Sequence, residues 1–271
     1  LPSWLAVTDV LVAKAGHWPF STRNEGKYLE IAMHKEFLDG HHNEHNAMYI
    51  DHSVITERRL ATMPTPVQRR WSITKAWWAE RGIDLSKDLV QIALMSHSCN
   101  GGIRISEYGQ TCVPGLFAAG EAAGGVNGAD RLGGNMVNAG QVFGRRAGLA
   151  AAAWAKSQPA VPLPEAVIET EKRRSRDLLR QRGSLRCIEL KRHIQSCMTR
   201  VMIVRDESSL DTALSQLTTL EKDLSDVNVA EAAGGIRQYL EIESLLKAAH
   251  VFLVAARERR ESRGPHYRQD F

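Results

Sequence analysis

Residues 97–148 read HSCNGGIRISEYGQTCVPGLFAAGEAAGGVNGADRLGGNMVNAGQVFGRRAG. This stretch holds a disproportionate share of the chain's 21 glycines, along with a histidine, a glutamate and an arginine. Glycine at that density means backbone freedom, or a backbone that must approach something bulky. A ligand wall is the natural reading. Around it, residues 89–95 form a short apolar run suited to a buried strand. Residues 103–105 alternate apolar with polar and are followed by a turn at Gly109, which suggests a hairpin. Pro114 and Gly115 then punctuate, and residues 116–119 read as another buried strand. A helix is expected from about Gly134 to about Lys156. Gly140, Gly144 and Gly148 lie four apart on it and share one face. Each costs about 1 kcal/mol of helix stability against alanine, so a face without side chains points to close packing against a sheet or a bound group.

The polar residues of the stretch sit where chemistry gathers. Glu121 directly follows Gly120 at the carboxyl end of an expected strand, the usual ligand edge of α/β folds. A carboxylate there can accept hydrogen bonds from sugar-like hydroxyls, or it is a surface charge. Gly133, Gly134 and Asn135 lead into the helix, whose free N–H groups suit an anion or a ring that becomes anionic. Arg131, just before that turn, can grip a carboxylate with two parallel hydrogen bonds, or pair structurally with Asp130 beside it. His97 precedes Gly101 and Gly102 and can donate to a bound anion, although a lone histidine is more often structural.

The flanks read more plainly. Residues 25–38 have helical spacing, residues 47–50 suit a short strand, and residues 64–81 suit a helix that starts at a proline and stops at Gly82. His41, His42 and His45 lie in loop composition and read as a polar turn rather than a metal site. Pro159, Pro162 and Pro164 mark a linker. Beyond it the apolar stripes are helical: Ile188, Ile194, Cys197, Met198 and Val201; then Leu210, Leu214, Leu217 and Leu224; then Ile236, Leu240, Leu246, Ala249 and Leu253. Ser208 and Asp211 stand at capping-box spacing. A bundle is the simplest way to bury such stripes.

Composition bounds the alternatives. The chain has 271 residues, 43% hydrophobic and 24% charged, with net charge +4, the profile of a globular protein. The basic excess at residues 172–192 has no interleaved aromatics, which argues for a solvated helix face and against nucleic acid. No apolar run reaches the roughly 18 residues that span a bilayer, and no secretory leader is visible. The four cysteines form no zinc-like spacing, so free thiols and a cytoplasmic location are expected.

His97 with Gly101 and Gly102 resembles the H-x-x-x-G-G motif of the fumarate reductase, succinate dehydrogenase and L-aspartate oxidase flavoprotein family. GLFAAGEAAGGVNGADRLGGN is similar to that family's GLYAAGE…GVHGANRLGGN signature, and FGRRAG to its F-G-R-x-A-G. The ending ESRGPHYRQDF is similar to E-S-R-G-x-H-x-R-x-D-F. The resemblance covers about residues 45–271. It implies an α/β FAD-binding domain segment (89–158), part of an α+β capping domain (1–88), and a C-terminal all-α helical bundle (159–271).

The resemblance also implies roles. Gly120, Glu121 and Arg131 would meet FAD, Glu121 at its ribityl part. Gly133, Gly134, Asn135 and Val137 would lie against the isoalloxazine ring. His97 and Arg131 would hold a small carboxylate beside the flavin, with Arg131 stabilising developing charge. Several positions depart from the family pattern: Asn127 for His, Asp130 for Asn, Met136 for Ser, and H-S-C-N-G-G for H-[YF]-x-M-G-G. No G-x-G occurs, so the dinucleotide-binding motif is expected outside this chain. The implied partner is an N-terminal half of the flavoprotein or a second subunit. Some relatives also imply an iron–sulfur electron-transfer subunit, with peripheral membrane association through it.

Overall fold

The computed structural model describes residues 27–131, 134–232 and 234–271. The chain divides into two units: Leu1–Gln158 with Arg263–Tyr267, and Pro159–Ser262 with Arg268–Phe271.

In the first unit, helix α1 (Lys27–Leu38) is followed by strand β1 (Met48–Ile50), the short helix α2 (Glu57–Ala61), helix α3 (Thr65–Ala79) and strand β2 (Val90–Ile92). β1 and β2 pair antiparallel, with Tyr49 opposite Gln91. The three-histidine loop between α1 and β1 is a polar turn. Asn43 Oδ1 accepts from the backbone N–H groups of His45 (2.9 Å) and Ala47 (3.0 Å), while His41 pairs with Glu36 and His42 stacks on Phe37. α3 buries none of its side chains, despite its tryptophans.

The glycine-rich segment differs from its expected layout. The run 89–95 forms a strand of only three residues, with Leu89 and Met95 exposed. Residues 103–105 do not fold back as a hairpin. Instead β3 (Ile103–Arg104) pairs in parallel with β4 (Ala123–Gly124). The turn at 106–109 does form, and Gly109 accepts from Ala118 N–H at 2.9 Å. The expected strand 116–119 reduces to one antiparallel bridge between Gln110 and Phe117. Periodicity cannot separate buried strand from half-exposed loop in runs this short. Helix α4 (Asn135–Ser157) closes the unit.

The second unit contains α5 (Glu165–Leu178), α6 (Cys187–Thr199), strand β5 (Val204–Arg205), α7 (Glu207–Lys222) and α8 (Gly235–Glu258). α6, α7 and α8 pack on one another. Their shared core comes from Leu190, Ile194 and Cys197 on α6, Leu210 and Leu217 on α7, and Ile242, Leu246 and Leu253 on α8. Spacings of three and four keep these residues on one seam of each helix. Full burial of each large aliphatic contributes about 1.5–3 kcal/mol. Two stripe members lie off the seam: Ile188 and Leu240 are exposed, because apolar spacing locates the centre of a stripe better than its edges. The helix cap also differs. α7 is capped by Asp206, whose side chain accepts from Ser209 N–H at 2.7 Å, rather than by Ser208. The backbone turns into the helix at Asp206, which is extended (φ −143°), and Ser208 already lies inside the first turn.

The chain's end is tied into this unit by one buried guanidinium. Arg268 donates to both oxygens of Asp270 at 2.7 Å and to the carbonyls of Ala256, Arg257 and Arg259 at the end of α8. Asp270 Oδ2 in turn accepts from Glu207 N–H at the start of α7, at 2.9 Å. Thus one ion pair satisfies free carbonyls at one helix end and a free N–H at another.

The Arg268 hydrogen bonds hold the Asp270 carboxyl well below its ordinary value of 3.8. A carboxyl depressed in the folded state binds its proton more weakly there than in the unfolded chain. Its stabilisation is therefore full above that ordinary value and is lost as pH falls below it. Asp270→Asn is expected to lower the urea midpoint of the helical unit at neutral pH, with the gap to wild type closing below pH 3.8; a constant gap at both pH values would show that the charge contributes nothing.

Candidate functional site

The site is built where three backbone segments cross. β3 and β4 run side by side, and at Gly102 and Gly124 their backbones approach too closely for side chains. A Cβ on Gly102 would lie 2.5 Å from Ala122 O, and one on Gly124 would lie 2.8 Å from Gly102 O. Two side chains then lock the loop before β3. Glu121 Oε1 accepts from Cys99 N–H at 2.7 Å, and Asn100 Nδ2 donates to Ala129 O at 3.4 Å. His97 stands exposed at the start of this loop. The loop is therefore fastened both to the 3₁₀ turn Gly120–Ala122 and to the segment that carries Arg131.

Glu121 is exposed and lies in that 3₁₀ turn, not at the strand end expected from its sequence. One oxygen is engaged by the Cys99 amide. Gly120 (φ +70°) has nothing within 4 Å of where a Cβ would stand. α4 packs against this turn, and a Cβ placed on Gly140 of its glycine face would lie 3.9 Å from Gly120 Cα. Gly144 and Gly148 face open space.

At the other side, Gly134 adopts φ +84° and is the N-cap of α4, with no side-chain cap. Only glycine takes that conformation without strain. Val137, one turn in, is 69% exposed, and Asn135 is exposed beside it. Gly133 lies outside the described residues. The helix thus presents uncapped N–H groups next to an exposed apolar side chain, a surface suited to a flat ring with an electron-rich edge.

Arg131 is half-buried, and its Nε is buried without a hydrogen-bond partner. Its backbone N–H donates to Asp130 Oδ1 at 2.8 Å, so that oxygen is engaged by the main chain. A buried guanidinium N–H left unpaired costs roughly 1–3 kcal/mol or more, and a ligand carboxylate recovers that loss. Asn100 Oδ1 is also buried and unpartnered. The sequence alone does not single out Asn100 as a site residue; the signal was its departure from the family's methionine. Among the described bonds none joins His97 to Arg131; Asn100, three residues after His97, bonds Ala129 O, two residues before Arg131.

Two family models match this chain. Residues 32–137 match the FAD binding domain, and residues 191–271 match the fumarate reductase flavoprotein C-terminal domain. The chain is 37% identical over 248 residues to a CoM/CoB fumarate reductase polypeptide of Methanothermobacter marburgensis, covering 89% of this chain and 43% of that protein. It is 31% identical over 244 residues to L-aspartate oxidase of Bacillus subtilis, covering 88% of this chain and 39% of that protein. The structure resembles the Mycobacterium smegmatis Sdh1 complex in the apo form with TM-score 0.77 and 29% identity, over 90% of this chain and 42% of that one.

The chain belongs to the fumarate reductase, succinate dehydrogenase and L-aspartate oxidase flavoprotein family. FAD is its cofactor. The residues present fit that group: open glycines at 120 and 134, an uncapped helix start, and a buried arginine N–H with no protein partner. This flavoprotein chain spans about 43% of the length of the M. marburgensis relative.

Because Gly102 stands 2.5 Å from a backbone oxygen through its missing Cβ, Gly102→Ala must push β3 off β4. The complete flavoprotein carrying Gly102→Ala is expected to retain much less FAD than wild type after gel filtration, with thermal stability lowered by about 1–3 kcal/mol. Wild-type flavin content and melting temperature would show that the crossing is not what shapes the site.

Proposed function

We propose that the complete protein is an FAD-dependent oxidoreductase that transfers a hydride between flavin and a small carboxylic acid of the succinate, fumarate or aspartate type. The observation that carries this reading is Arg131, whose buried Nε has no protein partner beside the uncapped start of α4.

When bound, FAD supplies the electron pair or takes it up. The rest of the work falls to this chain's residues. Gly120 and Glu121 receive the sugar-like part of the cofactor, and Gly134, Asn135 and Val137 meet its ring, with Gly133 next to them in sequence. Arg131 grips the substrate carboxylate through two parallel N–H groups and fixes the reacting carbon. It also stabilises charge that builds on that carboxylate during transfer. His97 donates a second hydrogen bond from the opposite loop. Asn100, Asn127, Asp130 and Met136 replace residues usual in the family, which supports an acid other than the common one.

The chain's span supports a division of labour in which another segment or subunit supplies the dinucleotide-binding half. A chain that only completed another subunit's flavin site would bind cofactor yet lose nothing in turnover when Arg131 is removed. Among the described residues, no helix is long and apolar enough to cross a membrane. The four free cysteines support a cytoplasmic location, since thiols stay reduced there. Membrane association and any iron–sulfur electron donor would be reached through partner subunits.

Arg131→Ala in the complete flavoprotein is the test. Hydride transfer from reduced flavin to fumarate, followed at the flavin band, is expected to fall by roughly 10²–10³-fold while flavin stays bound. Unchanged turnover would remove Arg131 from the mechanism.

A further inference from the structure

Two buried groups of opposite character lack partners on two segments that one hydrogen bond joins. Arg131 Nε is a donor without an acceptor, and Asn100 Oδ1 is an acceptor without a donor. The amide orientation of Asn100 follows from its own bond. Nδ2 faces Ala129 O at 3.4 Å, and a carbonyl oxygen accepts only from a donor, so the other atom must be oxygen. Ala129 lies two residues before Arg131, so Asn100 reaches the arginine's own segment.

Gly264 also packs close to Ala129 O. A Cβ at Gly264 would lie 2.6 Å from that oxygen and 3.2 Å from Asp130 Cβ. Gly264 also has φ +61°, a left-handed conformation that disfavours other residues. The carbonyl that orients Asn100 thus has a bare glycine close by as well as the amide. A side chain at position 264 would crowd the oxygen that accepts from Asn100.

We propose that Asn100 is a specificity-determining residue of the carboxylate site, whose Oδ1 selects an acid bearing an N–H or O–H donor next to its carboxylate. This rests on the reading of Arg131 as the carboxylate grip. The carboxylate satisfies Arg131 Nε, and the neighbouring donor satisfies Asn100 Oδ1. An acid without the donor leaves a buried carbonyl oxygen unpaired, and sites built around a polar partner discriminate strongly against ligands that lack it. The methionine usual at this position has no such acceptor.

The experiment is an equilibrium titration of the complete, FAD-loaded, oxidised protein with malonate and with 2-hydroxymalonate, read as perturbation of the flavin absorption band without turnover. Wild type is expected to bind the hydroxy acid roughly tenfold more tightly. In Asn100→Met the preference is expected to vanish: both acids weaken as the bond to Ala129 O is lost, and the hydroxy acid loses roughly tenfold more affinity than malonate. A merely structural role would weaken both acids alike and leave their ratio unchanged, which would overturn the proposal. Equal affinity in wild type would overturn it whether or not the variant folds. An unchanged ratio with weakened FAD retention would assign Oδ1 to the cofactor and likewise overturn it. Binding of neither acid by wild type would bring down the carboxylate site itself, and the proposal with it.

Discussion

At Gly102 and Gly124 two backbones pass with no room for a side chain on either. The geometry of the site depends on that approach. It sets β3 beside β4 in parallel, which places the loop from His97 against both the Glu121 turn and the Arg131 segment. The Glu121 carboxylate then holds the Cys99 amide, and the Asn100 amide holds Ala129 O. Three stretches distant in sequence become one wall.

The helical unit is organised differently. Its core is a three-helix seam with ordinary apolar spacing, and a buried Arg268–Asp270 pair fastens the chain end to two helix termini at once. Burying a guanidinium is costly unless its donors are met. Here NH1 has three carbonyl acceptors and the other two nitrogens face the Asp270 carboxylate. Arg205 shares the neighbourhood: its Nε donates to Val201 O at 2.7 Å, and burial brings its pKa down to about 10, so it stays charged at neutral pH.

The long helices and the linker were legible because they depend on local periodicity and on proline. The family was legible from the G-L-x-A-A-G-E and R-L-G-G-N runs, where backbone and ligand demands restrict sequence most. The parallel pairing of β3 with β4 was not, because it joins two-residue strands about twenty positions apart, and no periodicity exists over so short a run. The Asp206 cap was missed for a related reason: several polar residues in a row each satisfy the capping pattern, and only the backbone shows which one turns the corner. Asn100 could be noticed as a departure from a motif. Its role needed the position of Ala129 O, which a sequence does not carry.

On the proposed reading, the wall from His97 to Val137 is shaped for a flavin and a carboxylate, and Arg131 Nε meets the acid. Determining the structure of the complete protein with FAD and a bound small carboxylate tests it most directly. The flavin ring is expected against Gly134 and Val137, with a carboxylate oxygen within hydrogen-bond distance of Arg131 Nε. A ring placed elsewhere, or Arg131 Nε paired with a protein carboxylate while the acid binds away from it, would contradict it.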